Sequence, residues 1–132
     1  MRKERREFLE FAHKHLTLAG VEIRLRHGKI RGANAYTLAE YGPGEEIIVD
    51  TRKETWFQNY VHEYAHFCQD TLNTPLWQAW DANHTDLQTA GLMEREAELM
   101  VIAMNHLFNL GINEEKLIER IEGNLDHYGI EL

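Results

Sequence analysis

Strand-like sequence in this chain is confined to one block, residues 21–50, with helical periodicity on both sides of it. Residues 4–18 bring apolar side chains round at helical spacing, at Phe8, Phe11/Ala12 and Leu16, and Gly20 follows as a stop. Residues 21–26, Val-Glu-Ile-Arg-Leu-Arg, alternate strictly, which is the period of a half-buried strand. A turn-rich stretch around Gly28 and Gly32 leads to two more expected strands, 34–40 and 45–50. Tyr41-Gly42-Pro43-Gly44 between them is a turn signal and predicts a hairpin. Glu46-Ile47-Ile48-Val49 is the most β-prone stretch.

From residue 54 the period is helical again. Residues 54–72 set Phe57, Val61, Ala65, Cys68 and Leu72 on one face, so Cys68 is expected to be buried. Residues 73–88, with Pro75, Trp77 and Trp80, read as irregular. A long helix is expected over about 88–110, closed by Gly111. Asn113 caps a last helix reaching about Tyr128, with Ile112 and Leu117 as its hydrophobic staple. One helix, three strands and then three helices predict an α+β fold with a small sheet.

The 132 residues suffice for one domain, and a single domain over 1–132 is the reading. Cys68 is the only cysteine, which excludes an intramolecular disulfide and a zinc cage built on several cysteines. The opening MRKERREFLEF has no apolar signal core, and no stretch approaches the roughly 18 apolar residues of a membrane span. A cytoplasmic setting without membrane attachment is therefore expected. The net charge of −8 argues against a nucleic-acid coat. The nine Lys/Arg against four Glu in residues 1–31 read as a solvated face of Glu–Arg pairs, with His13, His15 and His27 at the surface.

The chemistry concentrates in Val61-His62-Glu63-Tyr64-Ala65-His66. Histidines at i and i+4 project from one side of a helix, a turn apart, and can reach one zinc at roughly 2.0–2.1 Å. Glu63, next to His62, can approach a water on that metal without ligating it. This is the HExxH arrangement of two ligands and a general base. A third ligand is available in the long helix, where Glu94 and Glu98 share a face and Glu96 points elsewhere. That face also carries Ala97 and Val101, and carboxylates on a partly core-facing side need a partner.

His62-Glu63-Tyr64-Ala65-His66, followed 28 residues later by Glu94-Arg95-Glu96-Ala97-Glu98, resembles the gluzincin metallopeptidases. Their second motif commonly reads Glu-x-x-Ala-Asp or Glu-x-x-Ala-Asn. The element order is also similar to the single-domain minigluzincins and to small phage and mobile-element zinc peptidases. The resemblance implies a zincin-like fold, Zn²⁺ as cofactor and hydrolysis of a peptide or protein substrate. It implies His62, His66 and Glu94 as metal ligands, Glu63 as general base and Glu98 as the carboxylate steadying His62. Glu98 stands where the family more often has Asp or Asn, which leaves an exchange of roles between Glu94 and Glu98 open. An extended peptide is expected along a sheet edge, with 45–50 as that edge. Tyr128, His127, His84 and His106 are candidates to stabilise the oxyanion, and spacing does not choose among them.

Two other readings stand beside the peptidase. One is a zinc-containing regulatory or binding module of the same fold with little turnover. The other is a structural domain whose histidines and glutamates coincide by chance.

Overall fold

The computed structural model describes residues 1–26, 35–38 and 45–130. It contains α1 (Lys3–Leu18), β1 (Glu22–Arg26), β2 (Ala35–Leu38), β3 (Glu45–Asp50), α2 (Trp56–Leu72), α3 (Pro75–Ala82), α4 (Leu87–Phe108) and α5 (Glu114–His127). This is a mixed α+β arrangement, as the switch of period predicts. The expected turns at Gly28, Gly32 and 41–44, His27, and the ends of the 34–40 strand lie outside the described residues. The chain divides into two compact units, Met1–Tyr64 and Ala65–Leu132, and the boundary falls inside the continuous helix α2. Among the described residues no helix is long and apolar enough to cross a membrane.

In the first unit α1 buries Phe8, Ala12 and Leu16, whereas Phe11 is exposed, so the apolar stripe is narrow. Phe8 sets its ring edge-on to Phe57 and to Tyr64, at centroid distances of 6.2 and 5.7 Å. Gly20 follows the helix at φ +81°, a left-handed conformation that favours glycine. His15 Nδ1 lies 2.7 Å from the Tyr64 hydroxyl, so His15 is half-buried and hydrogen-bonded, contrary to its expected place at the surface.

The sheet order is β1-β3-β2. β3 runs parallel to β1, with Ile23 opposite Ile47, and antiparallel to β2, with Tyr36 opposite Ile47. The strand 45–50 is therefore central, which overturns its expected role as an open edge for a peptide. The cause is legible in its burial: Ile47 and Val49 are fully enclosed and Glu46 is 1% exposed, so both faces of the strand are covered. Buried Glu46 is compensated by Arg24, whose Nε lies 3.1 Å from Oε2.

Helix α2 is buried on all sides over residues 59–67. Phe57, Val61 and Ala65 follow the expected stripe, but Cys68 is half-buried and Leu72 is 71% exposed. Cys68 is thus less enclosed than its spacing suggests.

In the second unit the segment expected to be irregular contains α3. Thr74 accepts the Trp77 amide as N-cap, and Pro75 occupies the first turn. There Pro is favourable, because its missing N–H has no helical partner to lose. Eight residues are too few to display a period, so the proline reads as a breaker when the sequence is taken alone. Asp86 caps α4 by accepting from the Gln88 and Thr89 amides. The helix stops at Phe108, two residues before the expected end, because Asn109 turns left-handed at φ +54°. Asn113 caps α5 by accepting from the Lys116 amide, and Ile112 and Leu117 are both buried, as a staple requires.

Candidate metal centre

No Gly or Pro interrupts α2, so His62 and His66 sit one turn apart on an unbroken helix. His62 is 8% exposed, Glu63 7% and His66 7%. Burying these polar side chains is unfavourable unless something compensates them.

The second unit supplies His66 with neighbours from three helices. Its Nε2 lies 3.3 Å from Glu94 Oε1 on α4. Its Nδ1 lies 2.7 Å from Gln69 Oε1, three residues further along α2. Its ring meets Trp77 of α3 at a centroid distance of 6.0 Å. A carboxylate oxygen so close to an imidazole nitrogen is held there by a proton on that nitrogen or by a cation both can ligate.

His62 stands one turn earlier on the same helix. One ligand atom from each of His62, His66 and Glu94 lies within 4.8 Å of the other two. Four-coordinate zinc with bonds of roughly 2.0–2.1 Å holds its donors about 3.4 Å apart. The His66–Glu94 pair already has that spacing. Two imidazoles and one carboxylate are also the donor set that catalytic zinc commonly uses. The residues therefore fit the metal that the motif implies.

Of the two carboxylates that share a face of α4, Glu94 belongs to this group. Glu98, one turn on, is fully buried, and Arg120 Nε lies 4.0 Å from its Oε1. The Glu94 side chain is 24% exposed, so it marks the side on which the group is least covered. Glu63 follows His62 directly on α2 and is buried.

The four oxyanion candidates separate. His106 is exposed and pairs with Glu114 at 2.6 Å. His84 is exposed and stacks on Trp80 at 4.2 Å. His127, the last residue of α5, is exposed and its ring meets that of Tyr128 at a centroid distance of 5.0 Å. Tyr128 is half-buried, and its phenol pKa is raised first by burial and then by the negative charge of Glu94. Tyr128 reaches this position because Gly91 has no side chain. A Cβ there would lie 2.9 Å from Tyr128 Cβ and 2.3 Å from Ile130 Cδ1.

Three residues around His66 escape a reading of spacing alone. Gln69 Nε2 donates to the Met93 carbonyl at 2.9 Å and to Glu96 Oε1 at 3.0 Å. The Thr74 hydroxyl donates to the same Glu96 oxygen at 2.7 Å. Glu96 does point away from the Glu94/Glu98 face, but it ends in this network rather than in solvent.

Compared with known proteins, the chain matches no family model, no curated sequence and no solved structure.

Proposed function

We propose that the chain is a small zinc metallopeptidase of zincin-like, gluzincin type that works in the cytoplasm. The observation that carries the reading is the convergence of His62, His66 and Glu94, with His66 Nε2 and Glu94 Oε1 at 3.3 Å among buried side chains. Zn²⁺ bound there would supply Lewis acidity toward a water and a scissile carbonyl. His62, His66 and Glu94 would hold it, and Glu63 would accept the proton of the attacking water and return it to the leaving amine. Tyr128 is the candidate to donate to the developing oxyanion. With β3 central, an added peptide strand would have to pair with β1 or β2 instead.

The test is metal content combined with one substitution. Purified protein is expected to hold about one zinc per chain. Glu63→Gln is expected to keep that zinc and to lower cleavage of a broad peptide library by 10²–10⁴-fold, the usual contribution of a general base. Metal-free wild-type protein after zinc loading and dialysis rejects the reading, as does equal cleavage by wild type and Glu63→Gln.

A second reading is favoured by the low exposure of His62, Glu63 and His66. Closed zinc sites are structural more often than catalytic. A zinc-holding binding module would retain the metal in both proteins and cleave nothing in either.

A further inference from the structure

We infer that Gln69 is a positioning residue which fixes the tautomer of His66, and that Glu96 and Thr74 hold Gln69 in the orientation this needs. The zinc arm of the test rests on the metal reading above; the tautomer arm does not.

The argument begins with the amide. A glutamine side chain offers one acceptor oxygen and one NH₂ group with two hydrogens. Gln69 is fully buried, so its orientation is set by protein groups. One end of the amide faces the Met93 carbonyl at 2.9 Å and Glu96 Oε1 at 3.0 Å. Both are acceptors, so that end is the NH₂ and both its hydrogens are engaged. The other end, 2.7 Å from His66 Nδ1, is then the oxygen. An oxygen cannot donate, so Nδ1 carries the hydrogen. A neutral imidazole protonated on Nδ1 has its lone pair on Nε2. Nε2 is the atom 3.3 Å from Glu94 Oε1.

Glu96 is held in turn. The Thr74 hydroxyl donates to its Oε1 at 2.7 Å while the same hydroxyl oxygen accepts the Trp77 amide at 3.3 Å as the cap of α3. The chain of donors therefore runs from the Trp77 amide through Thr74 to Glu96, and from Gln69 to Glu96. The carboxylate polarises the amide it accepts from, which makes the Gln69 oxygen a better acceptor and the His66 Nε2 a better ligand. Glu94 and Glu96, two residues apart on α4, thus serve the two opposite nitrogens of one imidazole.

The experiment uses the full chain in two measurements. In metal-free wild-type protein, long-range ¹H–¹⁵N correlation is expected to show a hydrogen on His66 Nδ1, the atom 2.7 Å from the Gln69 oxygen. The reverse tautomer overturns the proposal, and this measurement needs no variant to fold. Zinc affinity is then read by chelator competition. Gln69→Leu is expected to weaken zinc binding 10–100-fold, the usual effect of losing an orienting partner. Glu96→Gln keeps an acceptor oxygen for Gln69 and Thr74 but removes the charge; it is expected to keep the tautomer and to lose less affinity than Gln69→Leu. Zinc binding by a folded Gln69→Leu protein equal to wild type overturns the positioning role. If wild type shows the expected tautomer and binds no zinc, the metal reading falls and the tautomer assignment stands.

Discussion

His66 Nε2 and Glu94 Oε1 are brought to 3.3 Å across α2 and α4, at the donor spacing of a four-coordinate zinc. The contact ties a residue of the HExxH motif to one of three alternate glutamates. Glu94→Ala is expected to weaken zinc binding by more than about 100-fold, beyond what loss of an orienting partner costs. Glu98→Gln, next to Arg120, is expected to leave zinc stoichiometry intact. Chelator competition on both proteins checks the order, and equal losses would remove Glu94 from the ligand set.

Gly91 permits Tyr128 and Ile130 to lie against α4. Replacing an interior helical glycine by alanine normally stabilises a helix by about 1 kcal/mol. At position 91 the added Cβ would meet Tyr128 Cβ at 2.9 Å and Ile130 Cδ1 at 2.3 Å, so the segment after α5 must shift. Gly91→Ala is therefore expected to destabilise the protein by about 1–3 kcal/mol, the range for overpacking. Urea unfolding measures the sign, and a more stable variant would show that Tyr128 is not seated as described. The same shift should lower the Tyr128 pKa, since the phenol would leave both its buried position and the field of Glu94.

The block of strands among helices was readable because period two and period 3.6 differ over a few residues, as in 21–26 against 4–18. His62, His66 and Glu63 were readable because their relation is local to one helix. Glu94 was named over Glu98 by the family resemblance; that Glu94 meets His66 depends on the packing of α4 against α2. Spacing defines a helix face but not which residue of that face meets a neighbour. Gln69, Thr74 and Glu96 were out of reach for the same reason: their bonds join residues 22 to 27 apart in sequence. The central place of β3 was also hidden, because strand order depends on pairing between segments and not on the propensity of any one.

Asp50 closes β3, and Arg52 grips it from two residues away. The guanidinium lies 3.0 Å (Nη2) and 3.2 Å (Nε) from its carboxylate, and the Arg52 amide donates at 3.0 Å. These bonds hold the Asp50 pKa at about 2, below its ordinary 3.8. A folded-state pKa below the unfolded one stabilises the protein above the unfolded value. That contribution is expected to fade as pH falls from about 4 to about 2. In Arg52→Gln the Asp50 carboxyl should titrate nearer its ordinary value, and acid unfolding should begin at a higher pH. Carboxyl ¹³C titration with circular dichroism checks both, and an unchanged Asp50 midpoint would show that Arg52 does not set it.

Asn105 is a buried amide that shapes the turn between α4 and α5. Its Oδ1 accepts the Ile112 amide at 2.9 Å, and its Nδ2 donates to the Ile112 carbonyl at 3.1 Å and to Glu114 Oε1 at 3.2 Å. The side chain thus acts as a two-sided partner for one residue's backbone, next to the staple that starts α5. Asn105→Leu keeps the volume but deprives the Ile112 N–H and C=O of these partners, at about 1–3 kcal/mol per unsatisfied buried group. Asn105→Asp still accepts the Ile112 amide, but it sets a carboxylate against a carbonyl and against Glu114. It is expected to be destabilised as well at neutral pH, and to recover in part when the new carboxyl is protonated and can donate again. Urea unfolding of both variants at neutral and acidic pH separates the cases. Wild-type stability in Asn105→Leu would mean that water replaces the amide without cost, and that the turn is set by Asn109 and Gly111 instead.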